Sequence, residues 1–156
     1  MSFSRNAAET GWLPALRIYL ATTALLNLIW EVLQLPLYTL WTTDSLGAQA
    51  FAVVHCTGGD VLIAALVLLA ALVTVGSVGW PMERFRAVFV LTVLLGLGYT
   101  IYSEWHNVVV RKTWGYSTLM PVLPYLGTGL SPVLQWLVIP VLALSAARRQ
   151  KFWPGR

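Results

Sequence analysis

The chain has 156 residues, of which 58% are hydrophobic and 10% are charged. A soluble domain carries roughly 25% charged residues, so this composition excludes a protein whose whole surface faces water. The single cysteine, Cys56, excludes an intramolecular disulfide and any chemistry that needs paired thiols. The net charge of +4 does not indicate a nucleic-acid surface, because the basic residues lie at the ends of apolar segments.

Four apolar segments are long enough to cross a lipid bilayer. A helix needs roughly 20 apolar residues to span about 30 Å of hydrocarbon. The segments lie at about residues 15–35, 60–79, 87–110 and 131–147. The sequence therefore predicts an all-α integral membrane protein, a four-transmembrane-helix bundle that forms a single transmembrane domain over residues 1–156.

The distribution of lysine and arginine predicts how these helices are oriented. Eight of the ten basic residues lie on the N-terminal side, in the loop between the second and third segments, or in the C-terminal tail: Arg5, Arg17, Arg84, Arg86, Arg148, Arg149, Lys151 and Arg156. The other two connections hold only Arg111 and Lys112. Because cytoplasmic loops are enriched in these residues, we expect a multi-pass cell-membrane protein with both termini in the cytoplasm. Residues 148–156 would then form a basic cytoplasmic tail.

The ends of the first and third segments resemble each other. At an offset of 73 residues, Glu31, Gln34 and Trp41 correspond to Glu104, Asn107 and Trp114. This spacing is compatible with two parallel two-helix repeats, and equally with chance matches between apolar runs.

The two connecting segments on the outer side, residues 42–57 and 115–130, are too apolar for free loops. Lipid cannot satisfy the hydrogen bonds of irregular backbone, so these segments must lie at the membrane interface or cover a pocket inside the bundle. The sequence leaves both arrangements open. Thr57 followed by Asp60 resembles a capping box, and this predicts that Asp60 caps the start of the second membrane helix.

Polar side chains recur at helical spacing on the first and third segments. The first stripe comprises Thr23, Asn27, Glu31, Gln34 and Tyr38, and the second comprises Thr100, Glu104, Asn107 and Arg111. Residues three or four apart share one face of a helix, and a charge at the centre of a bilayer costs at least about 2.5 kcal/mol. We therefore expect both stripes to face the interior of the bundle. The candidate ligand-binding residues are Asn27, Glu31, Gln34, Glu104, Asn107 and Arg111.

A simpler interpretation is that these polar residues only hold the helices together. Interhelical hydrogen bonds are common in membrane proteins, and Gln135 on the fourth segment is a further candidate for such a contact. Arg111 would then neutralise one of the two glutamates. One cation cannot neutralise two carboxylates, however, and this surplus is the main sequence signal of function.

The two histidines, His55 and His106, are candidate metal ligands. Two histidines from different helices can serve as the axial pair of a haem, or can join carboxylates around a transition metal. The sequence contains no CxxCH, HExxH or CxxC motif that would support either cofactor.

These patterns leave three functions open. The first is a binding or accessory membrane protein with a polar pocket near the outer face. The second is a haem- or metal-binding redox protein that uses His55 and His106. The third is a membrane enzyme that acts on a lipid-borne substrate with Glu31 or Glu104 as acid or base. A homo-oligomer or a partner in a membrane complex is compatible with each.

Overall fold

The computed structural model describes residues 11–149 of the chain. Within this range the long helices are α1 (Trp12–Gln34), α3 (Leu46–Val75), α4 (Phe85–Trp105) and α5 (Leu130–Arg148), and a short helix, α2 (Leu40–Thr43), lies between α1 and α3. A 3-10 turn, Leu35–Leu37, follows α1, and a π-helical turn, His106–Val110, follows α4. Arg5 and residues 150–156 of the predicted tail lie outside the described residues.

The prediction of an all-helical protein with four membrane-length helices is confirmed. Four helical spans of the described chain are long and apolar enough to cross a membrane: Trp12–Leu37, Leu46–Val75, Phe85–Val110 and Leu130–Arg148. The structure is therefore compatible with a multi-pass membrane protein.

The predicted start of the second long helix is wrong. α3 begins at Leu46 rather than near residue 60 because Ser45 acts as its N-cap, with Oγ accepting a hydrogen bond from the backbone N–H of Ala48. The Gln49 side chain also donates to the backbone carbonyl oxygens of Trp41 and Asp44, which ties α2 to the first turn of α3. Most of the apolar segment 42–57 is thus helical.

This early start also overturns the capping role predicted for Asp60. The residue lies in the middle of α3 rather than at its first turn. Its backbone surroundings are those of a continuous helix, so its carboxyl group must find partners on neighbouring helices.

The four long helices form a ring in which α1 and α4 lie at opposite corners. α1 packs against α3 and α5, and α4 packs against the same two helices. At one end, the rings of Trp12 and Trp80 meet with their centroids 5.7 Å apart, and Trp12 Nε1 donates to the Val78 carbonyl oxygen at 3.1 Å. We call this the tryptophan end. The opposite end, where α1 and α4 terminate, is called the polar end.

The apolar core lies mainly towards the tryptophan end. Its fully buried members include Tyr19, Leu68, Val88 and Leu144. Small residues such as Ala71, Ala143 and Ala147 are also fully buried there and allow the helix backbones to approach closely. This packing leaves the polar end as the region where ionisable side chains enter the bundle.

Candidate functional site

The interior face of α1 carries the first polar stripe. Thr23, Asn27, Glu31 and Gln34 are all buried, at the spacing of three and four residues that places them on one side of the helix. On α4 the buried face includes Thr100 and Glu104. The polar side chains therefore enter the bundle from two opposite helices.

Gln135 of α5 is the centre of the resulting hydrogen-bond network. Its Nε2 lies 2.8 Å from Asn27 Oδ1, 3.0 Å from Glu31 Oε1 and 3.0 Å from Asp60 Oδ2. An amide nitrogen carries only two hydrogens, so three acceptors from α1 and α3 share two donors. The network is short of donors at its centre.

The next turn of α1 extends this network towards α5. Gln34 Nε2 donates to Glu31 Oε1 at 2.7 Å, and its Oε1 accepts a hydrogen bond from Ser131 Oγ at 2.8 Å. The indole N–H of Trp30 donates to the same Ser131 oxygen at 3.1 Å. Both atoms of the Gln34 amide are thereby fixed, which orients its N–H groups towards the Glu31 carboxyl.

Glu31 and Asp60 share a hydrogen-bond donor. Gln135 Nε2 lies 3.0 Å from Glu31 Oε1 and 3.0 Å from Asp60 Oδ2, so the two carboxyl groups meet at one amide. A proton on either carboxyl group, or positive charge on a ligand, would reduce the repulsion between two carboxylates in this position.

Glu104 of α4 is held by a residue from the connection between α4 and α5. The Tyr116 hydroxyl donates to Glu104 Oε2 and accepts from the backbone N–H of Gly129 at 2.8 Å. Burial, together with the hydrogen bond to Glu104, raises the pKa of Tyr116. The phenol consequently stays neutral and remains a hydrogen-bond donor at neutral pH.

Residues 111–129, which we call the strap, cross the polar end and are attached to the residues that follow α1. The backbone N–H of Thr39 donates to the Gly115 carbonyl oxygen at 2.9 Å, and that of Ser117 donates to the Leu37 carbonyl oxygen at 2.9 Å. Since Tyr116 lies between these two contacts, they position its side chain above Glu104. The strap therefore completes the polar cluster.

Tyr38 joins the two halves of this cluster. Its ring packs against that of Tyr116 with centroids 5.6 Å apart. Burial raises the pKa of Tyr38, and the nearby charges of Glu104 and then Tyr116 raise it further. Both tyrosines therefore present neutral hydroxyl groups beside the carboxyl groups.

Two predicted site residues, Asn107 and Arg111, do not enter the cluster. Asn107 lies in the π-helical turn that follows α4 and is half-buried, whereas Glu104 is buried on α4 itself. Asn107 Nδ2 donates instead to the Ser103 carbonyl oxygen at 2.9 Å. Arg111 is exposed beyond this turn, and it makes no ion pair with any residue between 11 and 149.

The two histidines lie on outer surfaces of their helices. His55 is exposed and stacks on Phe51 with ring centroids 5.6 Å apart, and His106 is half-buried and stacks on Tyr102 at 5.7 Å. In the described part of the chain, no group of three or more His, Cys, Asp or Glu side chains is suited to hold a metal ion.

A role for the histidines in binding haem or a metal stays a prediction. An absorption spectrum and a metal analysis of the purified wild type and its His55→Ala variant test it. A Soret band or stoichiometric metal that disappears in the variant would support it.

Three carboxyl groups thus share the polar end with neutral partners. Glu31 and Asp60 share the Gln135 amide as a donor, and Glu104 accepts from Tyr116. Among residues 11–149, none of the three forms an ion pair. Their hydrogen-bond donors include amide and phenol groups, which stabilise a carboxylate without neutralising it.

The fold and the site together define the class of the protein as an all-helical chain with four membrane-length helices and an acidic polar cluster at one end. No family model, no curated protein and no solved structure matches the chain. Function must therefore be argued from the cluster itself.

Proposed function

We propose that the chain is a multi-pass cell-membrane protein that binds a small positively charged ligand at its polar end. In this proposal both termini lie in the cytoplasm and the polar end lies near the outer face, as the lysine and arginine distribution favours. Glu31, Asp60 and Glu104 supply the negative charge, and the amides of Asn27, Gln34 and Gln135 orient the carboxyl groups.

The observation that carries the proposal is the imbalance of charge and donors in the cluster. Glu31 and Glu104 are 9% and 8% exposed, so water replaces little of the solvation that their carboxyl groups lose. A buried charge that lacks a partner is costly, and ionisable groups inside membrane proteins usually mark sites of function. A ligand with positive charge and N–H donors supplies what the cluster lacks.

The packing of the helices also suits a site with two similar sides. α1 and α4 lie at opposite corners of the ring, and each brings a glutamate to the polar end. This placement favours the two-repeat interpretation of the sequence, in which Glu31 and Glu104 are corresponding residues. The repeat itself is part of the proposal.

Thermal unfolding of the purified protein in detergent tests the proposal. Sodium, calcium, methylammonium and tetramethylammonium ions are suitable probes, because they differ in charge and in the number of N–H donors. A ligand that binds only the folded state raises the melting temperature in a concentration-dependent manner. We expect at least one probe to do so in the wild type and not in a Glu31→Gln, Glu104→Gln double variant.

The matched control is Glu83→Gln, which removes a carboxylate at the tryptophan end, where Glu83 accepts a hydrogen bond from Ser77. This variant should respond to the probe as the wild type does. Equal responses of the wild type and the double variant to every probe would overturn the proposal.

The position of Glu31 and Asp60 on either side of one amide nitrogen favours a second candidate, an enzyme that acts on a lipid-borne substrate. Two adjacent carboxyl groups that share a proton can serve as general acid and general base. Mass spectrometry of lipids from membranes that contain wild-type or Glu31→Gln protein tests this candidate. A lipid species converted only by the wild type would support catalysis, and identical lipid profiles would exclude it.

A further inference from the structure

Basic residues from two helices lie near one aromatic ring at the tryptophan end. The guanidinium carbon of Arg148, near the end of α5, lies 4.6 Å from the centroid of the Phe85 ring. Phe85 is the first residue of α4, and Arg84 and Arg86 flank it in the sequence. The packing of α4 against α5 therefore brings basic residues from two distant parts of the chain to one place.

These side chains remain available for an anion. Arg84, Arg86, Arg148 and the adjacent Arg149 are all exposed. No ion pair engages any of them in the described part of the chain. The acid closest to them in sequence is Glu83, and its carboxylate already accepts a hydrogen bond from Ser77 Oγ at 3.0 Å.

Exposed apolar side chains lie in the connection that leads to these arginines. Val78 is 80% exposed and Met82 is 62% exposed. A surface that presents guanidinium groups next to apolar side chains matches the chemistry of a membrane interface, where phosphates lie beside acyl chains. A soluble anion would gain nothing from contact with the exposed apolar side chains.

We propose that the junction between the start of α4 and the end of α5 binds the headgroup of an anionic phospholipid in the adjoining leaflet. Arg86 and Arg148 would contact the lipid phosphate, for which the planar guanidinium group is well suited. Phe85 holds the Arg148 side chain at this junction through its ring face. The proposal does not depend on what the polar end binds.

Native mass spectrometry of the detergent-solubilised protein tests the proposal, with phosphatidylglycerol and phosphatidylcholine as probes. We expect the wild type to bind phosphatidylglycerol more tightly, and Arg148→Gln to lower that affinity about fivefold. The matched control is Lys112→Gln, which removes one exposed positive charge from the strap and should leave the affinity unchanged. Equal affinities for the two lipids, or equal losses in the two variants, would overturn the proposal.

Two further measurements separate headgroup binding from other causes. The Arg148→Lys variant retains the charge but not the planar group, and we expect it to bind phosphatidylglycerol more weakly than the wild type does. Inorganic phosphate at millimolar concentration should not displace the bound lipid. Displacement would show a site for a free anion and would contradict the lipid proposal. Melting temperatures of all variants show whether each one is folded.

Discussion

Gln135 Nε2 and Glu31 Oε1 lie 3.0 Å apart, which joins α5 to α1 across 104 positions of sequence. Gln135 is only 2% exposed, so water cannot donate hydrogen bonds in place of its side-chain amide. The same nitrogen also reaches Asn27 and Asp60. A single amide is therefore the main donor to a buried group of acceptors from two helices.

Replacing this amide should destabilise the protein. Gln135→Leu removes the donor that reaches Asn27 and Asp60 and one of the two donors to Glu31 Oε1, and we expect the free energy of unfolding to fall by about 1–3 kcal/mol. Thermal unfolding in detergent measures the loss. The control is Val138→Leu on the exposed side of the same helix, which should have little effect. A Gln135→Leu protein as stable as this control would show that the network contributes little.

Replacing Asp60 by asparagine should stabilise the protein and weaken ligand binding. The asparagine can still accept from Gln135, it adds N–H donors next to Glu31, and it removes one of two adjacent carboxyl groups. Residues that serve binding often reduce the stability of the folded protein. We therefore expect the free energy of unfolding to rise by about 1 kcal/mol in this variant. The control is Asp44→Asn, since Asp44 is exposed.

The sign of this change separates a binding site from a structural contact. If Asp60→Asn lowers the melting temperature, the carboxyl group stabilises the bundle and the binding proposal loses its main support. If the melting temperature rises while a probe cation no longer binds, the carboxyl group serves the ligand.

Gly96 provides the space in which Trp136 packs. A Cβ atom at position 96 would lie 2.4 Å from two ring atoms of Trp136, which is itself buried. Gly96→Ala should therefore force the indole away from α4, at a cost of about 1–3 kcal/mol. Trp136 also contacts Asp60, so the displacement should weaken probe binding as well.

The chain contains a matched control two residues away. A Cβ atom at Gly98 would meet no atom within 4 Å. Alanine is a better helix former than glycine, so Gly98→Ala should leave stability unchanged or raise it by up to about 1 kcal/mol. Similar effects of the two substitutions would contradict the role of Gly96 in the packing of Trp136.

Tyr116 should make stability depend on alkaline pH. The pKa of Tyr116 is raised in the folded protein, whereas that of an unfolded tyrosine is about 10. Above about pH 10 the unfolded chain releases this proton before the folded one does, so the stability of the wild type falls. Tyr116→Phe lacks this contribution. It should be less stable at pH 7, because it loses the hydrogen bond to Glu104, and should decline less steeply above pH 10.

Melting temperatures between pH 7 and pH 11 check this expectation. The curves of the wild type and Tyr116→Phe should approach each other as the pH rises. Tyr125→Phe is the control, because the Tyr125 side chain is fully exposed, and its curve should coincide with that of the wild type. Parallel curves for the wild type and Tyr116→Phe would contradict the proposed coupling.

Part of the candidate site could be predicted from local spacing alone. Asn27, Glu31 and Gln34 follow the period of a helix, and a stripe of this kind on an apolar helix must face protein. Glu104 is predicted in the same way. For Asn107 and Arg111 the spacing argument assumes a regular helix, whereas α4 gives way to a π-helical turn at His106, and neither residue is buried.

The sequence indicates Gln135 as a candidate interhelical contact, but local spacing does not predict which residues Asp60, Gln135 and Tyr116 contact. Asp60 resembled a helix cap because Thr57 precedes it by three residues, but Ser45 starts the helix much earlier. Gln135 is a single polar residue in an apolar helix, and Tyr116 follows the end of α4 in an irregular segment. None belongs to a stripe, so no local period indicates what it faces.

The sequence by itself determined the class of the protein and the helix faces that carry its charges. Both follow from composition and from a period of three to four residues, which act over one or two turns of chain. Only the tertiary structure decided which side chains meet, because Gln135 reaches Glu31 and Asp60, and Tyr116 reaches Glu104, through helix packing and the course of the strap. Those contacts join residues whose relative positions are set by the packing of the whole bundle. A local sequence pattern does not determine which residues of different helices come into contact.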